Sequence, residues 1–271
     1  MDYEAIVVNK EDGVNTITLN RPERMNAVNE QMVDELMSEL HNVANDTEAR
    51  VLVLTGAGGA FCAGMDIKAA SPVEAEAEWR SHALTPEALR QFNRKTWRSL
   101  VLALRDLEIP TIASVNGPAV GFGFDFALAC DMRIGSENAR FMVAFTRIGL
   151  FPVSGGTWLM PRLVGLGKAC ELLFTGDFLD AEEAARIGVL NKLVPADQLE
   201  KETAELALKV AKAPPIAVRM SKLHLYKGLQ MDLESALEFV AATEPIAAES
   251  EDHAEGLRAF REKRPPVFKG R

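Results

Sequence analysis

Residues 116–131 read NGPAVGFGFDFALACD, an apolar run set around glycines at 117, 121 and 123 with one carboxylate, Asp125, inside it. Phe124, Phe126, Ala127 and Leu128 flank that acid. Apolar surroundings disfavour the charged form, so Asp125 is expected to hold its proton more tightly than an ordinary aspartate of pKa about 3.9. A carboxyl raised in that way suits a general acid or base. The alternative is a helix cap, which contributes about 0.5–2 kcal/mol. A second glycine loop, TGAGGAFCAG, occupies residues 55–64. A glycine loop between a strand end and a helix start leaves backbone N–H groups free, and the helix dipole adds about half a positive charge there. Glycine also lets a ligand oxygen approach the main chain. Two such loops side by side form an oxyanion hole, in which each preorganised donor stabilises a transition state by about 3–4 kcal/mol. The chemistry implied is an enolate, whose negative oxygen needs two donors.

Other chemistries are set aside on the same grounds. TGAGGAF lacks the third glycine of a dinucleotide fingerprint and the Gly-Lys-Ser/Thr ending of a nucleotide-binding loop. In PVSGG, Ser154 precedes two glycines, but Pro152 stands where a nucleophile elbow needs glycine, so a structural turn is expected. His41, His82, His224 and His253 are scattered, without the spacing that puts two ligands on one helix face, and no catalytic metal is expected. Cys62, Cys130 and Cys170 sit in apolar contexts and read as reduced core thiols.

The two glycine loops need strands to aim them. VLVL at 51–54 and TIASV at 111–115 are short apolar strands, each running into its loop. Upstream, AIVV, the turn Glu11-Asp12-Gly13 and VNTITL predict a hairpin over residues 5–19. Met32, Val33, Leu36, Met37, Leu40 and Val43 then fall at helical spacing. Strands alternating with helices imply a parallel sheet, with the loops beyond the carboxyl ends where open α/β sheets bind ligands. After about residue 165 strand signals are rare and helical ones dominate, so residues 1–195 read as an α/β core and 196–271 as a helical region. Residues 69–98, charged and carrying Trp79 and Trp97, read either as a solvated helical excursion or as a wall over a pocket.

A chain of 271 residues, 48% of them apolar, can hide about 75% of its unfolded surface. Its net charge of −9 disfavours a nucleic-acid partner, whose binding rests on clustered Lys and Arg. No segment offers the roughly 20 apolar residues of a membrane span. The start, MDYEAIVVNKEDG, has neither a signal-peptide core nor an Arg-rich transit pattern, and a cytoplasmic location is expected.

Six blocks, NRPERMNAVNEQM, VLVLTGAGGAFCAGMDIK, SVNGPAVGFGFDFALACDMRI, FPVSGGTWLMPRLVG, TGDFLDAEEAARIGVLNKLVP and EGLRAFREKRPPVF, together resemble the crotonase superfamily of enoyl-CoA hydratases and isomerases over nearly the whole chain. The resemblance implies a crotonase-like α/β spiral of ββα repeats with a C-terminal helical trimerisation region, assembled as a homotrimer or a dimer of trimers. It implies an acyl-CoA substrate, with coenzyme A entering as part of the thioester and no further cofactor. By the same resemblance, the oxyanion donors fall on the main chain of Met65 and of Phe122, in the loop opened by Gly121. The coenzyme A contacts fall on Arg24, Met25, Ala27, Ala63, Asp66, Ile67 and Lys68, with Phe260 and Lys263 as a C-terminal pair reaching the nucleotide. The bland reading of that last pair is an amphipathic helix end.

The carboxylates depart from the family pattern. The family's first catalytic glutamate corresponds to Asp125, one methylene shorter; its second corresponds to Phe145, and a third acid position used by some relatives reads Val153. Phe122 also departs, because a small residue is usual there, so its ring must turn away or narrow the pocket. Hydration of a double bond divides its labour between two carboxylates, whereas one carboxylate shuttles a proton between two carbons. Chemistry alone therefore leans to double-bond isomerisation. Hydration of an unusual cyclic or bulky acyl group, related enolate chemistry and non-catalytic acyl-CoA binding stay open. Phe122, Phe124, Phe145 and Phe151 would favour an apolar acyl group, and His224 and Tyr226 are candidates for groups supplied across a subunit boundary.

Overall fold

A computed structural model describes residues 3–66 and 85–271. Its strands are β1 (Ile6–Glu11), β2 (Val14–Leu19), β3 (Val51–Gly56), β4 (Thr111–Val115), β5 (Pro118–Val120), β6 (Met132–Ser136), β7 (Arg140–Met142), β8 (Phe178–Asp180) and β9 (Lys192–Val194). The helices among the described residues are α1 (Glu30–Asn45), α2 (Pro86–Lys95), α3 (Trp97–Arg105), α4 (Phe122–Ala129), α5 (Gly156–Val164) and α6 (Leu166–Thr175). They continue as α7 (Ala181–Arg186), α8 (Leu199–Ala211), α9 (Pro215–Gly228), α10 (Leu233–Ala248) and α11 (Glu251–Glu262).

The expected hairpin forms around Asp12 and Gly13, both at positive φ, the geometry that matches the twist of paired strands. The main sheet has the order β1-β2-β3-β4-β6-β9 and is parallel from β2 onward. Its central strands are covered on both faces, which is why VLVL and TIASV read as continuous apolar runs. On one face Leu52, Leu54 and Ala113 join the main core with α1, α3 and α4. On the other Val51, Val53 and Ile112 meet Ala207 of α8, and Ser114 of β4 shares a 3.0 Å hydrogen bond with Thr203.

A second sheet, β5-β7-β8, is built from three-residue strands. Strands that short carry too little alternation to be read in sequence: β5 lies in a stretch that reads as loop, and β8 and β9 lie where helical signals dominate. Helix α5 was also unsignalled, because GTWLMPRLV holds Pro161 and starts on glycine.

The C-terminal helices divide in their use. Helix α9 is tied to the core through Asp131, whose carboxylate accepts from Tyr226 Oη at 2.6 Å, from Lys222 Nζ at 2.8 Å and from Thr111 N at 2.7 Å. Arg105 lies over the faces of both Tyr226 and Trp158. Helix α10 buries none of its residues against the chain, and Leu233, Leu237 and Ile246 stand exposed along it. An apolar helix left uncovered marks a contact surface.

Asp131→Ala leaves the buried Lys222 ammonium without its counter-charge, bonded to Ile109 O, and should lower unfolding free energy by about 3–5 kcal/mol. Hydrogen exchange should quicken in α9 and not in β1–β3; unchanged exchange in α9 would show that packing alone holds it.

Candidate active site

Loop 57–65 and segment 116–123 meet main chain to main chain. Asn116 Nδ2 donates to Gly56 O and Gly58 O at 2.9 Å, Phe61 N and Cys62 N donate to Pro118 O at 3.1 Å, and Val120 N returns a bond to Cys62 O at 2.9 Å. Three glycines permit this approach. A Cβ on Gly117 would stand 2.2 Å from Gly59 O, and one on Gly123 would stand 2.2 Å from Cys62 O. One on Gly64, whose φ is +93°, would stand 2.8 Å from Val120 O and 3.6 Å from Phe122 N. Gly64, which precedes Met65, is thereby set against the start of α4 at Phe122. Neither the Met65 nor the Phe122 N–H donates to an acceptor among the described residues. Phe122 opens α4, so its N–H belongs to the unpaired first turn.

The other end of α4 explains how that polarity is kept. Arg133, buried, reaches Cys130 O at 2.7 Å and Val189 O at 2.7 Å, with Ala127 O at 3.5 Å. A cation at the helix C-terminus complements the dipole and leaves its positive end free. Sequence reasoning missed Arg133; its position just beyond the helix, in CDMRI, was the available signal.

The ring of Phe122 turns away from the loops. It lies 4.7 Å from Trp97 and 5.1 Å from Phe126, centroid to centroid, inside the core. Phe124 packs tilted against Phe141, 5.0 Å between centroids, and is core as well, while Phe151 is largely exposed. Of the four phenylalanines offered as an acyl wall, Phe145 stands against the second loop, its ring 3.9 Å from where a Gly121 Cβ would be.

Asp125 is 1% exposed. Burial pushes its carboxyl up to about 6, opposed by the Ser154 hydroxyl and by the main-chain amides of Gly156 and Ser154. Ser154 Oγ donates to Oδ2 at 2.6 Å, whereas Oδ1 accepts no well-aligned bond from the described residues. The pairing across 29 residues turns the PVSGG segment from a bland turn into part of the carboxylate's surroundings.

The candidate coenzyme A contacts divide into three groups. Arg24, Met25 and Ala27 lie beside Ala63 and Asp66, because Ala63 N donates to Met25 O, Val28 N to Gly64 O and Asp66 N to Val28 O. Arg21 clamps the pair of segments through Asp66 at 2.8 Å and through Ala27 O. Asn26 buries its amide against Ala57 O and Ala60 O, and Met25 and Asn26 both adopt positive φ to turn the chain there. Ile67 and Lys68, with Trp79 and His82, lie outside the described residues. Phe260, 84% exposed, and Lys263, the left-handed cap of α11, share no hydrogen bond or ion pair with these segments among the described residues. The bonds of α11 run instead to the chain's own tail, from Glu255 to Arg264 and from Asp252 to the amides of Lys269 and Gly270. His224 is bonded to Thr243 at 2.8 Å, and Tyr226 is committed to Asp131. Cys62 and Cys130 are buried, with thiols pushed up to about 12.

The sequence matches the enoyl-CoA hydratase/isomerase family over residues 9–271. A short-chain-enoyl-CoA hydratase of Clostridium acetobutylicum is 37% identical over 97% of this chain and 97% of its own. A 1,2-epoxyphenylacetyl-CoA isomerase of Escherichia coli is 35% identical over 99% of each chain. The crystal structure of an enoyl-CoA hydratase from Bacillus anthracis superposes with a TM-score of 0.90 at 35% identity, over 99% of this chain and 100% of that one.

A carboxyl raised from 3.8 to about 6 binds its proton more tightly in the folded state. Stability therefore falls as pH rises through that window, by about 3 kcal/mol in total. Asp125→Asn should remove the loss and raise unfolding free energy by about 1–3 kcal/mol at pH 7.5, with the difference gone by pH 4 in urea titrations. A cap role predicts the reverse sign at pH 7.5.

Proposed function

The chain belongs to the enoyl-CoA hydratase/isomerase family and has its crotonase fold, and from that premise we propose that it turns over acyl-CoA thioesters through an enolate with Asp125 as proton carrier. The observation that supports this reading is the close approach of Gly64 to Phe122 N, where neither the Met65 nor the Phe122 N–H has an acceptor among the described residues, with Asp125 one turn further along α4. The thioester oxygen accepts from both amides. As a proton leaves carbon, charge gathers on that oxygen, where donors already in place are worth most. Asp125 takes the proton and returns it. Coenzyme A, arriving as part of the substrate and needing no further cofactor, runs along Arg24, Met25, Ala27, Ala63 and Asp66, with Ile67 and Lys68 beyond.

Positions 145 and 153 carry Phe and Val, leaving one carboxylate for the proton work. One carboxylate suits double-bond isomerisation, in which the proton taken from one carbon is delivered to another. The name of the Clostridium relative favours hydration as the second reading, with Asp125 serving in turn as base toward water and acid toward Cα. Phe145 against Gly121 supports an apolar acyl group, and the ring-bearing substrate in the name of the Escherichia relative points the same way. The bare apolar face of α10 supports assembly of copies into a trimer or a dimer of trimers, with residues 196–271 as the assembling region on a core of residues 1–195.

Mass spectrometry of enoyl-CoA thioesters incubated in deuterated water separates these readings. Isomerisation adds deuterium without hydration, and hydration adds one water. Asp125→Asn should lower either rate by about 10²–10⁴-fold. Binding of CoA thioesters without turnover by wild type or variant would overturn the enzymatic reading.

A further inference from the structure

Ser154 is buried to 2% exposure, and the role expected of it from sequence was only that of a turn residue. Its hydroxyl meets Asp125 Oδ2 at 2.6 Å, the short distance of a bond to a charged acceptor. Oδ1 is left without a partner among the described residues. Gly156 makes room for that oxygen, since a Cβ there would stand 2.2 Å from it. The Ser154 hydroxyl thus holds one oxygen, and the other, buried against Gly156, accepts no well-aligned bond among the described residues.

Among the described residues no charged side chain takes over this task. Helix α4 packs on α3, α5 and β5. On α3, Arg98 is exposed and Arg105 lies over Trp158 and Tyr226; on α5, Arg162 lies over Trp158; β5 has no titratable group. The Cys62 thiol, against Gly123, is kept neutral by burial. Hydroxyl donation is therefore the largest influence opposing burial at Asp125.

We propose that Ser154 is the positioning residue of the Asp125 proton carrier, holding Oδ2 so that Oδ1 exchanges the proton with substrate carbon. The inference rests on the enolate reading above. In the step, the C–H electron pair passes into the enolate as the proton bonds to Oδ1, and the reverse transfer restores the carboxylate. The hydroxyl stabilises the ionised state that must be present at the start and fixes the rotamer that aims Oδ1.

Carbon-13 NMR titration of the full-length protein labelled at aspartate carboxyls, with the signal assigned through Asp125→Asn, reads the effect without turnover. Ser154→Ala should raise the Asp125 midpoint by about one pH unit, the size expected for one hydrogen bond to a charged group. Ser154→Thr, which keeps the hydroxyl, should titrate near wild type. An unmoved or lowered midpoint in Ser154→Ala, or one in Ser154→Thr as high as in Ser154→Ala, overturns the role of Ser154. Full activity in Asp125→Asn overturns the proton-carrier reading instead, so the two failures are told apart.

Discussion

The backbone of residues 61–65 lies directly on the backbone of residues 118–123, with no side chain between them, and the candidate site depends on that contact. Gly64, Gly117 and Gly123 each occupy a point where a Cβ would enter a carbonyl or its neighbour. The strands behind the loops set the approach: β3 and β4 are adjacent and parallel, so both loops leave the same edge of the sheet. Fully buried strands give that edge little freedom to move. Two loops from distant parts of the sequence are thus held together by the sheet as well as by their own backbone bonds.

Charge is distributed along α4 to the same end. Arg133 satisfies carbonyls at its C-terminus, the first-turn amides stay unpaired at its N-terminus, and Asp125 sits between them in an apolar cage. The cage favours the protonated acid, while Ser154 and the start of α5 favour the ion. A carboxyl pushed up to about 6 is the compromise, and it costs the fold stability above that pH. Such a cost persists where a group is needed for chemistry. A structural role is met elsewhere by an acid whose partners are plain, Asp131 under α9.

Local features were the legible ones. The Asp12-Gly13 hairpin, the helical spacing of α1, the apolar strands and the glycine loops each have signals within a few residues. The blocks that resemble the crotonase superfamily extended this to the overall fold. Contacts between distant segments were not legible. Ser154 meets Asp125 across 29 residues, Phe145 packs on Gly121 where an acid was looked for, and Phe122 escapes into a Trp97–Phe126 stack. Each depends on which way a side chain leaves its backbone, and no periodicity encodes that. Helix α10 illustrates the same limit from outside, since it meets α9 through His224 and Thr243 but leaves Leu233, Leu237 and Ile246 exposed.

The central claim is that the Met65 and Phe122 amides receive the thioester oxygen. Infrared difference spectroscopy of an acyl-CoA carrying carbon-13 at the thioester carbonyl tests it most directly. Two preorganised donors predict that the carbonyl stretch of the bound thioester moves to lower frequency than in water. A band at the frequency in water, or shifted upward as in a dry apolar pocket, would contradict the account.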